Sequence, residues 1–335
     1  MKKLAYLLVL FTFWQTASAQ QLPIYSQYLY NKFLINPAHA GSDGYTSINL
    51  TAREQWVGYS GAPRTYSLSW QTRLLKKSYE IKKKSSNRTT YRPKTDGRVG
   101  LGAYIFSDRN GLIQRTGFQA TYAYHMWLRP NTQLSLGLAA TGYHFIVNAT
   151  EASFENPSEP WLTDNLRRGV FVPDADFGIY LLNNKFDLGF SAQQLFGAAV
   201  KIGDYAYRNF HMDRHFYSFG SYYFDLSPKA ELEPSVLIKV SEELMPQADI
   251  GMTYIYDQSL WTGLTYRTGG GYGGLIANIR FKYVPKHTTK TAMFFGYAVD
   301  FTLNQIQRVT YGTHELTFAV KFGDSSRKYR WLDRY

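Results

Sequence analysis

The chain of 335 residues has no cysteine, carries a formal net charge of +12 and is 17% aromatic, with 28 tyrosines. Without thiols it has neither a disulfide framework nor a thiolate metal site. No stretch after the first twenty residues offers eighteen consecutive apolar side chains, so a transmembrane helix is excluded as well.

The N-terminus reads as a secretory signal. Lys2 and Lys3 precede the apolar run Leu4 to Trp14, and Ala17-Ser18-Ala19 supplies a small-residue cleavage site. A signal peptide over 1–19, cleaved near Ala19, sends the mature chain out of the cytoplasm. An exported chain rarely meets nucleic acid, so the basic balance points instead to an acidic partner or a lipid-phosphate surface.

Residues 20–44 do not look like strand. Pro23, Asn36-Pro37 and Gly41 interrupt them, and a short helical turn fits Leu29 to Leu34. From residue 45 to 323 the chain alternates with period two, which puts one apolar and one polar wall on each strand. Ile48, Leu50 and Ala52 oppose Asn49, Thr51 and Arg53. Tyr66, Leu68 and Trp70 oppose Ser67, Ser69 and Gln71. The pattern continues with Val99 to Ile105, Gly117 to Trp127, Leu134 to Leu138, Phe177 to Leu181 and Phe186 to Phe190. Phe216 to Phe224 is strand-like with less distinct faces. Val236 to Val240, Ile250 to Tyr254, Leu260 to Tyr266, Ala277 to Tyr283 and Phe295 to Phe301 follow. In the closing strand, Leu316, Phe318, Val320 and Phe322 oppose Glu315, Thr317, Ala319 and Lys321.

These segments make about fourteen antiparallel strands, an even number, with no helix between them. A soluble sandwich also alternates, but it rarely uses this much tyrosine over such a length. The expected fold is all-β: a transmembrane outer-membrane β-barrel with a non-strand N-terminal arm or plug. Connection lengths agree. Counted from a periplasmic N-terminus, Arg129-Pro130-Asn131, Asn183-Asn184, Ser227-Pro228 and Asp257-Gln258 are short turns. Asn148–Pro173, Gly197–His215 and Asn304–Thr313 are long outer loops. Lys76 to Lys94 breaks the rule: it is long, periplasmic and strongly basic. The C-terminal tail, 324–335, is basic on the same side. A solvated loop with a frayed end accounts for both, and a docking surface for a periplasmic partner is the sharper reading.

Catalytic chemistry finds no positive support. His211 and His215 lack the glutamate of a zinc helix, and the glycines from Gly269 to Gly274 lack the Lys-Ser/Thr and helix of a phosphate loop. No Gly-x-Ser-x-Gly elbow is present. Asp249 and Asp300 fall on the polar wall, where Arg280 or Lys239 are the expected partners. No catalytic, cofactor or metal site is expected.

The most specific text lies in the arm and just after the first strand. It comprises Tyr25-Ser26-Gln27-Tyr28, Asn31, Asn36-Pro37-Ala38 with Gly41, then Arg53-x-Gln55-Trp56-x-x-x-x-Gly61-Ala62-Pro63. In combination this resembles the PorP/SprF family of type IX secretion outer-membrane proteins of Bacteroidota, along essentially the whole mature chain. Tyr25 stands where the family often has Phe. The resemblance implies a non-enzymatic barrel serving protein secretion and, in some members, gliding motility. Its implied partners are periplasmic machinery components or a secreted protein, often an adhesin with a type IX sorting domain, which the barrel delivers or holds at the surface. An outer-membrane porin or specific solute transporter is the alternative. Tyr25, Tyr28 and Trp56 are amphipathic anchors of the kind that dominate interfaces, and Arg53 faces the lumen. The expectation is that the arm folds inside the lumen beside the first strand and shapes a site for a secreted partner; the alternative is that these residues only seal and brace the barrel.

Overall fold

A computed structural model describes residues 25–74, 77–85, 88–95, 98–129, 131–147, 170–197, 199–200, 210–242, 246–269, 273–286 and 291–323. The expected signal peptide and basic tail lie outside these. The strands, in chain order, are β1 (Thr46–Glu54), β2 (Arg64–Leu74), β3 (Lys77–Ser85), β4 (Arg88–Thr95), β5 (Val99–Asn110), β6 (Ile113–Arg129) and β7 (Thr132–Val147). β8 (Val170–Asn183), β9 (Phe186–Gln193), β10 (Ala199–Val200), β11 (Phe210–His211), β12 (His215–Tyr222) and β13 (Phe224–Ser227) follow. The chain then runs through β14 (Ala230–Ser241), β15 (Gln247–Tyr256), β16 (Leu260–Gly269), β17 (Gly274–Tyr283), β18 (Thr291–Thr302) and β19 (Thr313–Phe322).

Fourteen of these close a barrel: β1, β2, β5 to β9, β12 and β14 to β19. Each pairs antiparallel with its neighbours, β12 joins β14, and β1 joins β19 along Thr46↔Phe322 to Glu54↔His314. Closure removes every sheet edge, which a bilayer demands because it offers unpaired backbone groups no partner. No helix among the described residues is long and apolar enough to cross a membrane; the crossing is by strands.

The barrel is inverted relative to a soluble domain. Leu50, Leu68, Phe118, Leu138, Ile250, Leu264, Phe295 and Leu316 are exposed on the outside. Their alternates Thr51, Ser67, Gln119, Ala139, Asp249, Thr265 and Glu315 are buried inside. Apolar side chains outside and polar groups inside are the arrangement lipid selects.

Two elements differ from the sequence expectation. The basic connection Lys76–Lys94 is no plain loop, because β3 and β4 within it pair as a separate two-stranded hairpin. The segment expected as one strand over Phe216–Phe224 is split: β12 stops at Tyr222 and β13 resumes beside the start of β14. The two faces of that segment look alike because its inward positions are aromatic: Tyr217, Phe219 and Tyr223 are all buried in the filled lumen.

Candidate functional site

The arm lies inside the barrel as three single turns of 3-10 helix, Tyr28–Tyr30, Lys32–Leu34 and Pro37–His39. Asn36 is extended, as a residue before proline must be, and its side chain caps the third turn by accepting from the Ala38 amide at 2.9 Å. The same side chain donates to the carbonyls of Ile179 (2.9 Å) and Phe190 (3.2 Å), tying the arm to β8 and β9. Pro37 at the first helical position has no N–H left to satisfy.

Where the arm turns towards β1, Gly41 adopts φ +66°, and a Cβ there would stand 2.6 Å from the Thr72 carbonyl oxygen. Only glycine fits this position. Wall glycines admit the arm too. A Cβ on Gly100, Gly137 or Gly178 would overlap Ala40, Ala38 or Asn36 respectively.

Polar side chains of the wall take up the arm's backbone. The Glu315 carboxylate accepts the Ser26 amide at 2.8 Å and the Gln27 amide at 2.9 Å. Gln27 donates from its own side chain to the Glu315 carbonyl at 3.0 Å. Arg53 reaches Glu315 at 3.1 Å and Asp300 at 3.4 Å, and also donates to the Ser26 hydroxyl. Lumen-facing Arg53 therefore holds both wall carboxylates and the arm. Asp249 and Asp300 converge on Arg267, at 2.8 and 3.1 Å, rather than on the expected Arg280 or Lys239. Arg280 lies instead over the rings of Phe294 (4.2 Å) and Tyr30 (4.6 Å), and Lys239 over Tyr217. A carboxylate shared between two guanidinium groups answers the cost of burying so many charges.

Lower in the lumen, Lys32 is 1% exposed and pairs with Asp187 at 2.7 Å; Asp187 also accepts from Ser221 and Tyr223. Sequence reading passed over this pair. Its only signal was a lysine beside the apolar run Phe33-Leu34-Ile35. Asp43 meets Lys321 at 3.0 Å near the periplasmic end.

Rings complete the filling. The Tyr25 hydroxyl is 2.5 Å from that of Tyr104, within a cluster holding Phe33, Phe106, Tyr143 and Met212. Met212, from the connection before β12, covers this cluster from another side. Tyr28 packs with Leu29, Tyr180, Tyr217 and Phe219.

The rest of the motif sits elsewhere. Gln55 donates its amide to the Pro63 carbonyl at 2.9 Å, closing the β1–β2 loop, and Pro63 itself is buried. Trp56 has φ +48°, and its amide donates to the Thr313 hydroxyl at 3.2 Å. Val57 and the Tyr311–Gly312 pair exchange backbone hydrogen bonds of 2.9 and 2.8 Å, so the β1–β19 pairing continues beyond the strands. Gly61, at φ +72°, accepts from the Gly111 amide at 3.1 Å. Tyr28 is deep in the lumen, and Trp56 is a half-buried brace at the outer rim. Among the described residues, no cluster of His, Asp and Glu forms a metal site.

A closed fourteen-strand barrel, apolar outside and filled inside, is an outer-membrane β-barrel. The sequence profile described as "Type IX secretion system membrane protein PorP/SprF" matches residues 17–320, and the chain belongs to that family. No curated protein matches it. Solved structures similar to it include a Pseudomonas aeruginosa FadL homologue, at 9% identity and TM-score 0.46, covering 83% of this chain and 88% of that one. The Pseudomonas putida toluene transporter TodX shares 9% identity at TM-score 0.44, covering 87% and 93%. Omp33 of Acinetobacter baumannii shares 8% at 0.40, covering 84% and 100%.

Proposed function

We propose that this PorP/SprF-family barrel is a non-enzymatic component of type IX secretion that helps to deliver or hold secreted proteins at the cell surface. Its partners on this reading are periplasmic machinery components or a secreted protein with a type IX sorting domain. The supporting observation is the filled lumen. Residues from Tyr25 to Asp43 are nearly all buried, and so are wall groups on every side of them, from Ser69 and His125 to Asp187, Thr253 and Arg267. A solute channel works by keeping such polar groups wet. Here the arm and the wall's own ion pairs take them out of water, with Ser69 bonded to Asn31, His125 to the Ala40 carbonyl and Asp187 to Lys32, which suits a membrane-anchored platform rather than a pore.

The test combines two measurements on tagged protein drawn from outer membranes in mild detergent. Mass spectrometry is expected to find a large secreted protein or type IX components at near-stoichiometric yield, and planar bilayers are expected to show no stable conductance. A partner-free barrel with open-pore conductance would instead make it a porin or solute transporter.

A further inference from the structure

Two carboxylates in the lumen stand outside its ion pairs. Asp43, Asp108, Asp187, Asp249, Asp300 and Glu315 each meet a lysine or arginine within 3.1 Å. Asp174 and Asp176 on β8 are 3% and 1% exposed, yet no ion pair reaches either of them among the described residues. Arg214, on the connection before β12, is held by Glu242 at 3.1 Å and by the Leu195 carbonyl at 3.1 Å. Each carboxylate spends one oxygen on backbone. Asp174 Oδ1 accepts the Ala175 amide at 2.7 Å and the Phe196 amide at 3.0 Å, and Asp176 Oδ1 accepts the Gln194 amide at 2.9 Å. Asp174 Oδ2 is buried without a hydrogen bond. Neutral amides ease the burial of a carboxylate but do not cancel two negative charges.

The register shows what faces that charge. Gln119 on β6, Thr141 on β7 and Asp174 lie in one inward row, and Thr121, Ala139 and Asp176 lie in the next. Thr141 is 5% exposed and directly opposite Asp174, and its hydroxyl too is buried without a hydrogen bond. A hydroxyl set against a carboxylate would ordinarily donate to it, so both idle oxygens are turned to something between them. Gln119 gives its amide nitrogen to Thr121 at 2.9 Å, which leaves its carbonyl oxygen to offer. At the centre, Ala139 contributes only a methyl group. Neighbouring strands lie about 4.8 Å apart and successive rows about 7 Å, so oxygen-bearing side chains frame a space of about 10 Å by 7 Å around that methyl.

We propose that Asp174 and Asp176, with Thr141 and Gln119, bind one calcium ion in the outer half of the lumen. Every donor is oxygen, which suits a hard cation and not a metal that prefers nitrogen or sulfur. The two carboxylates balance its charge, and the remaining ligands are neutral oxygens and water. Donors drawn from separate strands suit the long, tolerant bonds of calcium better than the strict octahedron of magnesium. The ion braces the wall where the chain leaves β9, because the same two carboxylates hold the amides of Gln194 and Phe196. This site does not depend on the secretion reading.

Calorimetric titration of the purified full chain, stripped with chelator and kept in neutral detergent, tests this with calcium chloride as the titrant. One ion per barrel is expected, with a Kd of about 10⁻⁴–10⁻³ M, the range of extracellular calcium modules. D176N should weaken binding about tenfold, the size of one lost charge-assisted contact, and T141V, which keeps both carboxylates, by a smaller factor. Calcium should raise the melting midpoint of the wild type and leave that of D176N unmoved. Heat-modifiable migration on gels confirms that each variant is folded. No binding at about 10 mM calcium, well above that range, would overturn the proposal. So would equal binding by wild type, D176N and T141V, which would place the ion on other acidic groups.

Discussion

The two halves of the barrel wall hold the arm by different physics. From β5 to β8 the contact is one of shape: glycines at 100, 137 and 178 let the arm's backbone lie against the sheet. From β15 to β19, and on β1, it is one of charge: Arg53, Arg267, Asp249, Asp300 and Glu315 form a connected network on which the arm's first amides rest. Shape fixes position but tolerates no added atom. A charge network forgives small displacements but not the loss of a member, because a buried ion without its partner has nowhere to be solvated.

The comparison breaks most decisively at Glu315. E315A takes from Arg53 the nearer of its two carboxylates and from two arm amides their acceptor, and should cost about 3–5 kcal/mol. The arm becomes open to added protease while the barrel stays folded; a fully protected arm would show that shape alone suffices. On the other wall, G137A and G178A should each cost about 1–3 kcal/mol by overpacking, seen as a lower denaturant midpoint for arm release.

A smaller effect is set by pH. His39 is buried in the arm, 5.2 Å from the Tyr180 ring, and burial, with Lys32 nearby, depresses its pKa from 6.5 to about 4 despite Asp43. The docked arm holds His39 neutral, whereas a released arm takes up a proton below pH 6.5. Docking is therefore fully stable above that value and weakens as pH falls towards 4, by about 1.4 kcal/mol per unit. Arm release followed at pH 7.5 and pH 5 should show this slope, and H39Q should flatten it. The smallest effect belongs outside both walls. Arg214 and Glu242 pair at 3.1 Å while about half exposed, so E242Q should lower the unfolding free energy by less than about 1 kcal/mol, read from the denaturant midpoint.

What could be read beforehand follows the range of each signal. Strand faces were legible because alternation is local: Leu316 and Glu315 declare opposite walls by adjacency alone. Asn36-Pro37 likewise announced an irregular bend, because proline restricts its predecessor wherever it occurs. Lys32 with Asp187, and Arg267 as the common partner of Asp249 and Asp300, were not legible, since each pairing depends on which polar residues closure brings face to face. The distance of Trp56 from the arm was not legible either, because only the path of β1 carries it to the rim.

By itself, the sequence determined an antiparallel barrel of about fourteen strands with a lipid face, a polar face and an irregular arm, because period two, turn residues and proline act over a few neighbouring residues. Only the tertiary structure decided that the arm fills the lumen, that Ser26 rests on a carboxylate 289 residues away, and that Lys32 meets Asp187. Those contacts exist only once the register is set and the first strand has met the last.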